Sequence, residues 1–237
     1  MTAYAELAVV IPLFNEEKNI ASLIKDWNEV FTNRKINYEF IIINDGSTDN
    51  SLTLLESTAS AIPGLKLTIH NQKNQGHGNA ILNGYKIALR SEWIFQLDSD
   101  HQLDINAFNT LWDNRNDYDF LVGERKKKNG TFFRKFISWS SAFLVHLFYG
   151  RRVNDVNSPY RLMRSAQLEK ALEKISSQSF SPNVLITAFF TYKKARIFTL
   201  NLSQKNDRIE KKSKTNINFF KGCIKSMFQT IFFRLKL

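Results

Sequence analysis

The residues best placed to do chemistry stand in one short stretch, Phe95-Gln96-Leu97-Asp98-Ser99-Asp100-His101-Gln102. An apolar run stops at two carboxylates two residues apart, and an amide follows at the same spacing. In an extended chain, side chains at i, i+2 and i+4 project to one side. Asp98, Asp100 and Gln102 can therefore offer several hard oxygens to one divalent cation. A plainer reading fits the same residues, an acidic turn capping a helix that begins near Asn106. An Asp-x-Asp alone does not choose between the two; its surroundings must.

Those surroundings alternate between strand and helix. Residues 93–97 read as a short buried strand that delivers Asp98 where the chain leaves the sheet. Residues 7–12 (LAVVIP) form a continuous β-branched run, the pattern of a strand buried on both faces of a parallel sheet. A loop over 13–16 follows, with Asn15 as N-cap and Glu16-Glu17 in the first turn of a helix reaching Phe31. That helix carries Ile20, Leu23, Ile24, Trp27 and Phe31 at helical spacing. A strand over 38–43 ends at Asn44-Asp45-Gly46-Ser47-Thr48-Asp49, where Ser47 or Thr48 can cap the next helix. A strand over 65–69, a polar loop over 71–78 and a helix over 79–89 lead to the strand at 93–97. A helix over 107–114 and a strand over 120–122 close the first half. The alternation predicts an α/β, doubly wound, mainly parallel sheet, in which ligands sit beyond the carboxyl ends of the strands. Phe14, Glu16, Asp45, Asp98 and Asp100 all fall at such ends.

Charge divides the chain in two. Residues 1–120 hold 9 Lys and Arg against 16 Asp and Glu, a net of −7, whereas residues 121–237 hold 24 against 6, a net of +18. The second half is therefore expected to meet an anion: nucleic acid, a phosphorylated substrate or a membrane surface. A single cysteine, Cys223, excludes a disulfide framework and a multi-cysteine zinc site, and the four histidines look scattered. Residues 1–6 have neither the basic nor the apolar region of a signal peptide. No uncharged apolar stretch reaches the eighteen or so residues of a spanning helix, so the expectation is a soluble or peripheral protein.

In the second half, residues 123–130 read as a basic loop with no apolar anchor. Residues 132–148 place Phe132, Phe133, Phe136, Ile137, Phe143, Leu144, Leu147 and Phe148 in helical order, a core helix or an interfacial one. Residues 155–164 read as an irregular polar turn broken by Pro159 and leading into a short apolar segment. Helices over 166–175 and 182–193 and a strand over 196–202 follow, then a polar, lysine-rich, mobile loop over 203–216. The last segment shows the sharpest pattern, a stripe of Phe219, Phe220, Cys223, Ile224, Met227, Phe228, Ile231, Phe232 and Leu235 that only Phe233 breaks. Such a helix docks on the domain or lies in a bilayer interface with Lys221, Lys225 and Arg234 toward anionic headgroups.

Four ordered segments resemble family 2 glycosyltransferases of the GT-A fold: Val10 to Glu17 (VIPLFNEE), Ile43 to Asp49 (INDGSTD), Asn74-Gln75-Gly76 with Asn79-Ala80, and Gln96 to Gln102 (QLDSDHQ). Gly123-Glu124-Arg125, Arg134 with Ser138, and Asp155 with Arg161-Leu162-Met163-Arg164 are similar to the branch that glycosylates polyprenyl phosphates. The resemblance spans residues 7–202. It implies a catalytic domain over 1–203, including an acceptor-side helix over 132–149, and a tail over 204–237 comprising a basic loop and a membrane-associating helix. It implies that Pro12, Phe14 and Glu16 contact the nucleotide base and ribose, that Asp45 with Gly46 binds the same edge, and that Asp98, Asp100 and Gln102 hold Mg²⁺ or Mn²⁺ at the diphosphate. Arg125 and Arg134 would receive the lipid phosphate or the donor diphosphate. Phe14 stands where the branch usually has tyrosine, and Asn44 where an acid is common. In 204–213 only Arg208 and Ser213 match the family's donor-closing loop.

The implied reaction moves a sugar from a UDP- or GDP-sugar to an undecaprenyl or dolichyl phosphate, with inversion, at the cytoplasmic face of a membrane. The acceptor phosphate is already anionic near neutral pH, so no strong general base is required. Arginine forks would hold it in line with the anomeric carbon. Its partners would be the donor, the lipid, the membrane surface and a membrane-anchored protein, with no nucleic acid: no stacking motif or zinc pattern accompanies the charge. The rival expectation is a family 2 enzyme acting on a saccharide or protein acceptor. A nucleotidyltransferase would need a glycine-rich phosphate loop where Leu13-Phe14-Asn15-Glu16 stands.

Overall fold

The computed structural model describes residues 4–99, 106–125, 132–150, 152–202 and 217–237, with 132–134 and 217–219 described as backbone only. The run LAVVIPL is fully buried and forms β1 (Leu7–Leu13). It lies between β2 (Tyr38–Asp45) and β4 (Trp93–Gln96), parallel to both. Beyond β2 lies β3 (Leu67–Gln72), and beyond β4 lie β6 (Arg161–Arg164), β5 (Phe120–Arg125) and β7 (Ile197–Leu202), giving the order β3-β2-β1-β4-β6-β5-β7. Only β6 runs against its neighbours. The carboxyl ends of β1, β2, β4 and β5 therefore open on one edge, and the order of connection reverses at β1, where a doubly wound sheet places its ligand.

Alternation along β1 sorts two cores. Leu7, Val9, Ile11 and Leu13 face α1 (Ile20–Asn33) and α4 (Ala107–Asp113), where Trp27 and Phe31 stack on each other and each meets Phe108 edge to face. Burying each such ring contributes about 1.5–3 kcal/mol. Ala8 and Val10 face α3 (His77–Ala88), α6 (Ser165–Leu172) and α7 (Pro182–Tyr192). The short α2 (Ser51–Ser60) packs beside α1. All of Pro182–Thr191 is buried, because α5 (Phe132–Tyr149) and α8 (Ile217–Phe233) cover α7 from outside.

Several local expectations change. Asn15 is not an N-cap: it takes φ 54°, its side-chain oxygen accepts from Thr48 N–H at 2.8 Å, and the helix starts four residues after Glu16. Ser47 and Thr48 do not cap α2. The N-cap position is Asn50, without a side-chain cap bond, and Asp49 just before it accepts from Ser51 N–H at 3.0 Å through Oδ1. Neighbouring strand-end loops outcompeted local capping at both places. Residues 123–125 are not loop but the end of β5, and the segment after Pro159 is a strand, β6, four residues long. A strand that short, inserted between β4 and β5, owes its existence to partners on both sides.

The terminal helix docks and stays amphipathic at once. Gly222, Cys223, Ser226, Thr230 and Phe233 face the domain, so the residue that breaks the stripe is an anchor, 3% exposed against Tyr149. The Tyr149 hydroxyl, its pKa pushed up to about 12 by burial, donates to the Thr230 carbonyl. Gly222 permits the approach, since a Cβ there would sit 2.2 Å from the Phe180 ring. Phe220, Ile224, Phe228 and Phe232 remain on the outside, as do Phe136, Trp139, Phe143 and Leu147 of α5. Among the described residues no helix is long and apolar enough to cross a membrane.

Candidate active site

At the end of β2, Asp45 is 3% exposed and its carboxylate is fully engaged. Oδ1 accepts from Gln72 Nε2 at 2.7 Å and Gln75 N–H at 2.8 Å, and Oδ2 accepts from Gly76 N–H at 2.9 Å. Asp45 thus shapes the loop entering α3 as well as lining the cleft. Gly46, at φ 73°, lets that loop approach: a Cβ would lie 2.9 Å from Asn74 N. It serves the turn and does not line the cleft.

The resulting cleft, about 410 Å³, is lined by Pro12, Phe14, Glu16, Asp45, His77 and Asp98 among others. Phe14 is 46% exposed, a ring face open to stacking. Glu16 is oriented by Asn19 Nδ2 at 2.7 Å, and its backbone N–H is held by Ser51 Oγ at 2.8 Å. Four of the residues expected to meet a nucleotide therefore converge, together with Asp98.

Asp98 lies two residues past β4. Its Oδ1 is buried and accepts no hydrogen bond among the described residues, with His77 Nε2 at 3.7 Å. A buried carboxylate oxygen without a donor is costly, and a divalent cation satisfies it, so Asp98 fits as one metal ligand. Among the described residues no third metal-ligating group joins it. Asp100 and Gln102 lie outside the described residues. His77 is one of four histidines scattered along the sequence, and only its position directly after the strand-end segment Asn74-Gln75-Gly76 signals a place at the cleft.

A second cleft, about 860 Å³, meets the first at Gly76, His77 and Asp98. Arg125, Lys135, Phe180 and Lys225 also line it. Arg125 does not stand ready as an isolated fork. Its Nε donates to Asp155 Oδ2 at 2.7 Å and its Nη2 to Asp155 Oδ1 at 3.2 Å, and the Asp155 side chain is only 4% exposed. The Arg134 side chain lies outside the described residues. Below the cleft, Arg161 is fully buried, and its guanidinium donates to the carbonyls of Ser158 at 2.5 Å and Asn183 at 3.1 Å. Burial lowers its pKa to about 10. It remains charged at neutral pH and ties the 156–158 turn to the start of α7.

Residues 8–166 match the family model described as Glycosyl transferase family 2. The dodecaprenyl-phosphate galacturonate synthase of Rhizobium johnstonii is 30% identical over 169 residues, 70% of this chain and 49% of that protein. The undecaprenyl-phosphate 4-deoxy-4-formamido-L-arabinose transferase of Proteus mirabilis is 26% identical over 178 residues, 75% of this chain and 54% of that protein. The chain spans about half the length of these two curated relatives. Glucosyl-3-phosphoglycerate synthase from Mycobacterium tuberculosis, crystallised with Mn²⁺, UDP and glucosyl-3-phosphoglycerate, superposes with a TM-score of 0.65 at 14% identity, over 98% of this chain and 80% of that one. Mannosyl-3-phosphoglycerate synthase from Rubrobacter xylanophilus gives 0.68 at 10% identity, over 98% and 74%. The match over most of the chain, with strand-end residues gathered around one cleft, means that the chain belongs to glycosyltransferase family 2 and has its GT-A fold.

Proposed function

We propose that this protein moves a sugar from a nucleotide diphosphate sugar, UDP- or GDP-linked, to a polyprenyl phosphate at a membrane surface, inverting the anomeric centre. The observation that carries the reading is the meeting of two clefts at Asp98 and His77. One offers a stacking ring and carboxylates suited to a nucleotide. The other is basic and opens beside the exposed aromatic faces of α5 and α8. The names of the two similar bacterial proteins, a dodecaprenyl-phosphate galacturonate synthase and an undecaprenyl-phosphate 4-deoxy-4-formamido-L-arabinose transferase, agree with this division. Mg²⁺ or Mn²⁺ would be held by Asp98, with Asp100 and Gln102 as the partners implied by resemblance, and would neutralise charge developing on the leaving diphosphate. Phe14, Glu16 and Pro12 orient the base and ribose, Asp45 and Gly46 fix the loop beneath them, and the acceptor phosphate attacks in line.

The catalytic unit is assigned to 1–203 and the membrane-associating tail to 204–237. Phe228 at 57% and Trp139 at 59% exposure represent an apolar surface that suits the acyl boundary of a cytoplasmic leaflet. A membrane-anchored protein seated on that surface is the competing occupant.

The test is a panel of UDP- and GDP-sugars with Mn²⁺ or Mg²⁺ and vesicles containing undecaprenyl phosphate, read as labelled lipid product. Transfer to the lipid, with metal-dependent donor binding lost in Asp98→Asn and Asp100→Ala, is the expected result. Transfer only to a saccharide or protein acceptor, or unchanged metal-dependent binding in both variants, refutes it.

A further inference from the structure

The positive charge of the acceptor-side cleft comes from unequal groups. Arg125 spends its fork on a buried carboxylate, so that pair brings little net charge. Lys135 on α5 and Lys225 on α8 line the same cleft, both exposed, and neither has a carboxylate within 4 Å among the described residues. Two ammonium groups without a carboxylate partner on one cavity raise its positive potential and favour an anion there. Ser179, at the wall of that cavity, has a buried hydroxyl with no partner among the described residues.

The terminal helix is fastened at this wall. Gln229 accepts from Phe180 N–H at 3.2 Å and donates to the Gln178 carbonyl at 3.3 Å. Gly222 lies under the Phe180 ring, and a Cβ on Gly78 at the start of α3 would meet the Ser179 carbonyl at 2.7 Å. The 178–182 segment therefore joins α8 to the first turn of α3, where His77 faces Asp98. α8 presents an apolar outer face and, beside it, an ammonium toward the cleft.

We infer that α8 is part of the acceptor site: Lys225, with Lys135, binds the phosphate of a prenyl monophosphate, and the cleft is incomplete without the terminal helix. This rests on the transfer reading above for its ligand and adds two binding residues to it. The role differs from membrane attachment, because it predicts a requirement for Lys225 when no membrane is present.

Geranyl phosphate, a short-chain soluble probe, separates these roles. Its binding is followed by calorimetry without vesicles in the full chain, in Lys225→Gln, in Lys135→Gln, and in Lys170→Gln as an equal change of charge on remote α6. The wild type should bind it, and geraniol much more weakly. Lys225→Gln and Lys135→Gln should each weaken binding about tenfold, the low end for a charged hydrogen bond near water. Lys170→Gln should leave it unchanged, and Lys225→Arg should recover much of the loss. In turnover, acceptor KM should rise with donor KM unchanged. No binding by the wild type, or equal binding in all variants with native circular dichroism, overturns the inference. Lysine-dependent binding without transfer from any nucleotide sugar would keep the phosphate site and remove the transfer reading.

Discussion

Asp45→Asn preserves side-chain size and removes one charged acceptor from a carboxylate that takes three hydrogen bonds. If the amide oxygen faces Gln72 and Gln75, those bonds survive as neutral ones. The amide NH₂ then confronts the Gly76 N–H, which donates to Oδ2 at 2.9 Å in the native protein. One charge-assisted bond is lost, a term of about 1.5–3 kcal/mol, and a buried donor is left unpaired. Allowing for weakening of the remaining two, the expected loss of stability is about 2–4 kcal/mol. For a chain of this length that lowers Tm by roughly 5–15 °C. The assay is urea denaturation of the nucleotide-free protein at fixed pH, with m compared between variants. Nucleotide affinity should fall as well, because the loop entering α3 carries His77 to the cleft. A variant as stable as wild type to within about 0.5 kcal/mol, yet defective in nucleotide binding, would refute the argument that Asp45 acts first on its own loop.

Gly222→Val drives a branched side chain into the Phe180 ring, so α8 should lift from the 178–182 segment; limited proteolysis should release the terminal segment far faster than in wild type, with the sheet intact by far-UV circular dichroism. Asp119 has its pKa lowered chiefly by the hydrogen bond from Arg196, at 2.9 Å. A depressed carboxylate adds stability above its unfolded pKa of about 3.9 and loses it as pH falls through the lower folded value. Arg196→Gln should therefore lower the urea midpoint at pH 6–7, and the difference should narrow below about pH 4. Trp139→Glu with Phe228→Glu changes two exposed positions and should leave stability within about 0.5 kcal/mol per site; co-sedimentation with anionic vesicles should drop sharply, whereas turnover of a soluble prenyl phosphate should persist.

The sequence by itself determined the sheet and its productive edge. β1, β2 and β4 are runs whose burial on both faces is written in their own composition, and each ends in polar residues, which by itself places Pro12, Phe14, Glu16, Asp45 and Asp98 at one edge. Spacing alone also marked α1, α5 and α8 as helices. The tertiary structure decided what depends on contacts between distant segments. β6 is too short to announce itself and exists through pairing with β4 and β5. Arg125 meets Asp155 across thirty residues, which no local pattern encodes. His77 lies 3.7 Å from Asp98 because α3 begins where β4 ends in space. The apolar stripe of α8 suggested a helix that turned its phenylalanines either inward or toward lipid. Packing settled on small residues, because Gly222 and Ser226 allow backbone approach to Phe180 and the 178–182 wall. Phe220, Phe228 and Phe232 were left outside, and Phe233, the one residue off the stripe, became the anchor. Amphipathicity fixes which residues share a face, but only the shape of the surface beneath decides which face is buried.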